Sequence, residues 1–373
     1  LVRISGTTKF LEIQVSKKEE IIEAFDPNGV GQMGRLFGLP FDPDTSEIVL
    51  IPVPWDVTVS YASGCSLGPA AILKASPQID YFIKDIQDAW KLGVSMLPIP
   101  EDVFKESKSL RKMSEVYISW LEEGKDQEAA EMKVIPNTVN EGSEKLNIYV
   151  RALAEEYIKK GKTVGVIGGD HSTPLGLIRA LSEHFSDFGI LQIDAHADLR
   201  KAYEGFKYSH ASIMHNALEN KAVSRLVQVG VRDICEEEVE AIKSSKGRIK
   251  TFFDEEIKEN LFRGVNFKQI CDKIISQLPE LVYISFDIDG LDPKYCPGTG
   301  TPVPGGLEYN EALFLIKRLV KSGRKVIGFD LCEVAPKGTE NGFSEDEWDG
   351  NVGSRILYQL SALVGVSQGK LSM

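Results

Sequence analysis

Four short motifs gather carboxylates and imidazoles: GGDHS at 168–172, DAHAD at 194–198, YSH at 208–210 and SFDIDGLDP at 285–293. All five histidines of the chain fall between His171 and His215. In an extended segment residues i, i+2 and i+4 share a face. Asp194, His196 and Asp198 therefore present three metal ligands together, and Asp287 and Asp289 repeat the device. With His171 the set reaches two imidazoles and four carboxylates. Four aspartates meeting at a buried site repel and take up protons unless cations neutralise them. Two divalent ions balance that charge. Six ligands cannot saturate two separate ions, so carboxylates must bridge, bringing the ions to about 3.5–4 Å, the arrangement that generates a nucleophilic hydroxide. Oxygen-rich ligation with one imidazole per ion favours Mn²⁺, Ni²⁺ or Co²⁺ over structural Zn²⁺. A lone Asp or His at a strand end is more often a cap, but DxHxD with DxD on separate strands is hard to obtain by chance.

These residues need rigid positioning. Apolar, β-branched runs at 47–53, 163–169, 189–194, 225–230, 281–289 and 325–331 alternate with helical patterns near 144–160, 174–186, 209–220, 236–244, 266–277, 309–321 and 352–365. Near-continuous apolar strands separated by helices indicate a parallel sheet covered on both faces. The expectation is an α/β chain with a three-layer α/β/α domain over 46–373 and about eight strands. Each motif lies where a strand ends, the place where ligands bind in open α/β sheets. Residues 1–45 are expected to form an N-terminal arm with a short helix around 16–25, and the densely charged stretch near 101–143 an inserted, exposed helical segment. Ser172 is expected to cap a helix beginning near Pro174, and His184 and His215 to be bystanders on helices.

Composition narrows the partners. A net charge of −12 with no basic stripe argues against nucleic acid or an anionic membrane and suits a small cationic substrate. The five cysteines are scattered without CxxC spacing, which reads as reduced thiols. The first twenty residues lack a secretory apolar run, so the expectation is a cytoplasmic protein.

At these motifs the chain resembles the ureohydrolases, the arginases and agmatinases, from about residue 47 to 365: GGDHS, DAHAD, SFDIDGLDP and DLCEVAP (330–336) occur in that family's order. The resemblance implies the arginase-type fold, assembly into trimers or hexamers, and hydrolysis of a guanidino C–N bond. It implies that His171, Asp194, Asp198 and Asp287 hold one metal and His196, Asp194, Asp287 and Asp289 the other. It further implies that His210 transfers a proton or steadies substrate, and that Glu333 holds the guanidinium. Three departures from common agmatinases stand out: Cys65-Ser66 in SGCSLGP (63–69), DEWDGNVGSR (346–355), and the N-terminal arm and charged insertion that lengthen the chain. They resemble the nickel-dependent guanidine hydrolases, so free guanidine is the expected substrate, agmatine or a guanidino acid the alternative, with metal-loading accessory proteins as possible partners. A tail-less guanidinium would need a small closed pocket near Cys65, walled by Trp348 or Trp55. A single-zinc amide hydrolase and a non-catalytic binding protein are the competing classes; the full set of six ligands with His210 and Glu333 weighs against both.

Overall fold

A computed structural model describes residues 16–126, 129, 132–339, 342–343 and 347–373. In chain order the strands are β1 (Ile48–Val53), β2 (Val94–Met96), β3 (Thr163–Gly168), β4 (Phe188–Ile193), β5 (Val223–Val229), β6 (Ile249–Phe252), β7 (Leu281–Asp287), β8 (Lys325–Cys332), β9 (Gly338–Thr339) and β10 (Gly342–Phe343). The helices are α1 (Lys17–Ala24), α2 (Gly68–Ala75), α3 (Glu101–Glu122), α4 (Val134–Lys159), α5 (Leu175–His184), α6 (Ile213–Leu218), α7 (Glu236–Ser244), α8 (Asp254–Phe262), α9 (Phe267–Ile275), α10 (Tyr309–Lys321) and α11 (Trp348–Ser367).

The first eight strands form one sheet in the order β2-β1-β3-β8-β7-β4-β5-β6, parallel at every pairing. Both faces are covered, because alternate strand residues enter two separate apolar clusters. Ile167, Leu191 and Ile284 pack with residues of α9, α10 and α11. Val166, Ile190 and Tyr283 pack with residues of α3, α4, α5 and α6. The three-layer α/β/α expectation holds. β2 and β6, only three and four residues long, were too short to register as apolar runs.

The charged stretch at 101–143 is helical but not simply exposed. α4 runs without a break across position 143 and buries Val139, Leu146 and Val150 against the sheet, while α3 buries Leu110, Tyr117 and Ile118 beside it. Charge covers their outer faces only, so helical period separates two surfaces that composition averages together. The described residues of the arm, from Ser16 onward, also reach the core. α1 forms as expected behind a Ser16–Glu19 capping box, and Phe37, Leu39 and Phe41 are buried in the main cluster.

Candidate metal centre and active site

The four strands that carry the motifs, β3, β8, β7 and β4, are adjacent at the middle of the sheet, so their carboxyl ends converge. Close approach begins with glycine: a Cβ on Gly169 would collide with the Trp55 backbone, and one on Gly168 with the Thr173 and Cys332 side chains. Only glycine lets the Asp170 amide reach the Trp55 carbonyl at 2.7 Å.

His171 leaves this turn fully buried, and its Nδ1 faces Asp198 Oδ2 at 2.9 Å, Asp194 Oδ2 at 3.0 Å and Asp287 Oδ2 at 3.3 Å. No protein hydrogen bond engages that Nδ1. The other ring nitrogen lies 2.9 Å from Ser285 Oγ, and Ser285 donates to Asp330 Oδ2, which Tyr283 also meets at 2.6 Å. The ring is thus held by Nε2 with Nδ1 aimed at three carboxylates, as metal-ligating histidines are held. The His196 side chain retains 24% exposure, and its Nδ1 lies 3.1 Å from Asp289 Oδ2 and 3.6 Å from Asp194 Oδ1. Two donor groups that share Asp194 follow, His171–Asp194–Asp287 and Asp194–His196–Asp289, beside a third of His171, Asp330 and Cys332. Asp198 joins the first through His171. Three of the four carboxylates are oriented from the backbone: Asp194 Oδ1 accepts the His196 amide, Asp289 Oδ1 the Ala195 amide and Asp287 Oδ1 the Asp289 amide.

Electrostatics show what the cluster needs. Burial opposes a charged His171, yet Asp194, Asp198 and Asp287 hold it well above its ordinary value. Burial likewise opposes charge on His196, and Asp289 and Asp194 still lift it to about 12. Burial and then Asp289 push Asp287 well up, and burial and then Asp194 push Asp198 up to about 7. Burial opposes charge on Asp194 too, yet His171 and His196 hold it below its usual range; Asp287 and Asp198 instead take up protons, as carboxylates awaiting cations do. The donor set fits two divalent ions.

Two acidic residues of the site sit in the left-handed region, Asp198 at φ 55° and Glu333 at φ 62°, a conformation that costs a non-glycine residue of order 1–3 kcal/mol and clusters at active sites. Surrounding bonds hold both. The Asp198 carbonyl accepts the Met214 and His215 amides at the start of α6, so His215 contributes backbone and not its ring. The Glu333 amide reaches Gly169 O at 2.8 Å, and its Oε1 accepts the His171 amide at 2.9 Å. Burial, then Asp170, raises the Glu333 carboxyl well above its usual range. Cys65 is fully buried, its thiol pushed up by burial and by Glu333.

A cavity of about 220 Å³ opens onto His196, Asp198 and His210, with Arg200, Tyr203 and Asp233 at its wall. His210 is partly buried, its amide on Thr58 Oγ1 and its Nδ1 3.4 Å from Ser209 Oγ; burial, then the neighbouring His196 and His171, lowers its pKa to about 3.

Three expectations are corrected. Trp348 is half exposed, its indole N–H donating to Lys294 O; it is not a wall of this cavity, because the start of α11 turns it outward. Trp55 is buried behind the GGDHS turn. Ser172 does not cap α5: that helix starts at Leu175 after Pro174, and the Ser172 hydroxyl donates to Asp170 instead.

Sequence reasoning passed over Gln192, Gln228, Ser285 and Asp330, all fully buried polar side chains. The available signal was a polar residue inside an otherwise apolar strand, in GILQID, RLVQVG, YISFD and IGFDL.

An all-parallel α/β sheet with a carboxylate–histidine cluster at the carboxyl ends of its central strands defines a metal-centred hydrolase architecture. The arginase family model matches residues 46–346. The chain is 30% identical over 329 residues to the N(1)-aminopropylagmatine ureohydrolase of Synechocystis, covering 87% of this chain and 91% of that one. It is 29% identical over 309 residues to the agmatinase of Cronobacter sakazakii, covering 80% and 82%. Among solved structures, the agmatine ureohydrolase of Thermoplasma volcanium superposes with a TM-score of 0.66 at 21% identity over 94% of this chain and 99% of that one. The chain belongs to the arginase family. That family is binuclear-metal-dependent, and the two donor groups described above are this chain's candidates for the metals.

Proposed function

We propose that this protein hydrolyses a guanidino C–N bond to release urea, and that its substrate is an alkylguanidine with a distal amine, of the agmatine type. The observation that carries the reaction is the pair of donor groups sharing Asp194 beside an open cavity. His171, Asp194, Asp198 and Asp287 would hold one divalent ion and His196, Asp194, Asp287 and Asp289 the other, as Mn²⁺ or Ni²⁺. When bound, such a pair lowers the pKa of a shared water from roughly 15.7 towards about 7 and supplies Lewis acidity.

The protein's own groups do the rest. Glu333 receives the guanidinium by charge-assisted hydrogen bonds, one of its oxygens being fixed by the His171 amide. Asp198, held rigidly at positive φ, accepts a hydrogen bond from the attacking water and orients it. His210, kept neutral by burial, takes the water's proton at the ring nitrogen not facing Ser209 and passes it to the departing amine. The C–O bond forms, the C–N bond breaks, and urea and the amine leave.

The substrate's tail decides between agmatine and free guanidine. The expected wall at Trp348 is absent, while the cavity carries the exposed carboxylate of Asp233, which suits an ammonium tail. The agmatinase and aminopropylagmatine ureohydrolase relatives support the same choice. Urea release from agmatine, aminopropylagmatine, guanidine, arginine and guanidinobutyrate, compared by kcat/KM, tests it. A more than tenfold preference for free guanidine would reverse the substrate assignment and leave the reaction intact. A trimeric or hexameric assembly in the cytoplasm belongs to the same proposal, checked by sedimentation.

A further inference from the structure

Beneath the ligand-bearing strand ends, a row of polar side chains crosses five adjacent strands at one register: Asp330 on β8, Ser285 on β7, Gln192 on β4, Gln228 on β5 and Thr251 on β6. Asp330 and Ser285 serve His171, as described above. The other three residues form a directional chain of hydrogen bonds. Thr251 Oγ1 donates to Gln228 Oε1 at 2.8 Å. Gln228 Nε2 donates to Gln192 Oε1 and to Ala197 O, both at 2.7 Å. Gln192 Nε2 donates to Asp194 Oδ2 at 2.7 Å and to His196 O at 3.3 Å.

Every N–H of both amides is used, and each amide oxygen has a donor. Flipping either amide would set an oxygen against a carboxylate or a carbonyl in a buried place, so each has a single orientation. The positive end of each amide points toward Asp194, and the two carbonyls it grips belong to the DAHAD segment itself. β4 ends at Ile193, and beyond it the backbone of 194–198 has left the regular ladder. The Asp194 amide and the Ala195 carbonyl still bond to Val229, Arg232 and Asp233 on one side, and the row from below adds partners for the His196 and Ala197 carbonyls.

We infer that Gln192, Gln228 and Thr251 are positioning residues that fix the shared carboxylate Asp194, through the Oδ2 that faces His171, and the His196 backbone, and so set the affinity of the two groups that share Asp194 for their divalent ions. The inference rests on the two-ion reading above. Partners one shell out from metal ligands typically change affinity by about 10–100-fold. Gln228 touches no ligand side chain in the structure, and Thr251 is further still, so an effect there must travel through the amides.

The test is calorimetric titration of the full-length, metal-stripped protein with Mn²⁺ alone. Wild type should bind two equivalents; one equivalent or none would overturn the two-ion reading, and this inference with it, before any variant is made. Gln228→Met keeps side-chain volume and should weaken at least one of the two equivalents by about 10–100-fold. Thr251→Val should weaken the same equivalent by a few-fold at unchanged Tm, and Thr251→Ser should restore it. If Gln228→Met folds with both equivalents within twofold of wild type, the inference fails. If Gln228→Met does not fold, Thr251→Val decides: unchanged affinity for both equivalents there overturns it.

Discussion

The two donor groups differ in their access to solvent, although they share Asp194. The His171 group is sealed: its histidine is 1% exposed, and its ring is fixed through Ser285 to Asp330 and Tyr283. The His196 group opens on the cavity, with a quarter of its histidine exposed. One site is built as part of the core and the other as part of the pocket wall. Asp194 joins the two, and Asp198 carries the His171 group to the edge of the cavity.

Removing the link should have the largest effect. Asp194→Asn takes a ligand from both groups, so metal analysis should show both equivalents lost and activity should fall on the order of 10³-fold or more; retention of one tight equivalent would show that the groups are independent. The histidines should then separate. His171→Ala leaves buried carboxylates without their partner and should lower stability by about 3–5 kcal/mol in denaturant titration, whereas His196→Ala should cost no more than about 1 kcal/mol while still losing one equivalent. Equal losses would erase the distinction between sealed and open sites.

His210 sharpens the contrast from the pocket side. His210→Asn should reduce kcat roughly 100-fold with both equivalents retained. Its folded pKa of about 3 lies below the ordinary 6.5. The folded state therefore binds fewer protons there than the unfolded one, and stability is lost as pH falls through that window while being complete above it. The metal-free variant should show a shallower acid limb than wild type in pH-dependent unfolding. Trp348→Ala should do least, changing turnover less than about twofold, because an exposed residue outside the cavity has little to lose.

Much of this was legible in the chain itself. Period-two spacing singled out Asp194, His196 and Asp198, although β4 ends at Ile193 and Asp198 sits at a left-handed φ, so the bonds that hold this segment, and not strand alternation, aim the side chains. Six of the eight sheet strands announced themselves as apolar runs. What escaped depends on contacts remote in sequence. Trp348 looked like a pocket wall by proximity to a divergent motif, but the direction a helix start faces is set by tertiary packing. Gln192 and Gln228 lie 36 positions apart and meet only because β4 pairs with β5. The charge of α3 and α4 concealed an apolar stripe that composition cannot resolve.

The strand order has a consequence for biosynthesis. β8 is the last strand of the main sheet to leave the ribosome, yet it lies in the middle, between β3 and β7. Until residues 325–332 arrive, the nascent polypeptide can hold only two separate fragments of sheet, each with an unpaired inner edge open to aggregation. Glu333 and the Asp330 support of His171 arrive with that same strand. Insertion of the closing strand therefore completes the sheet and the catalytic centre in one event, and a chain truncated before it has neither.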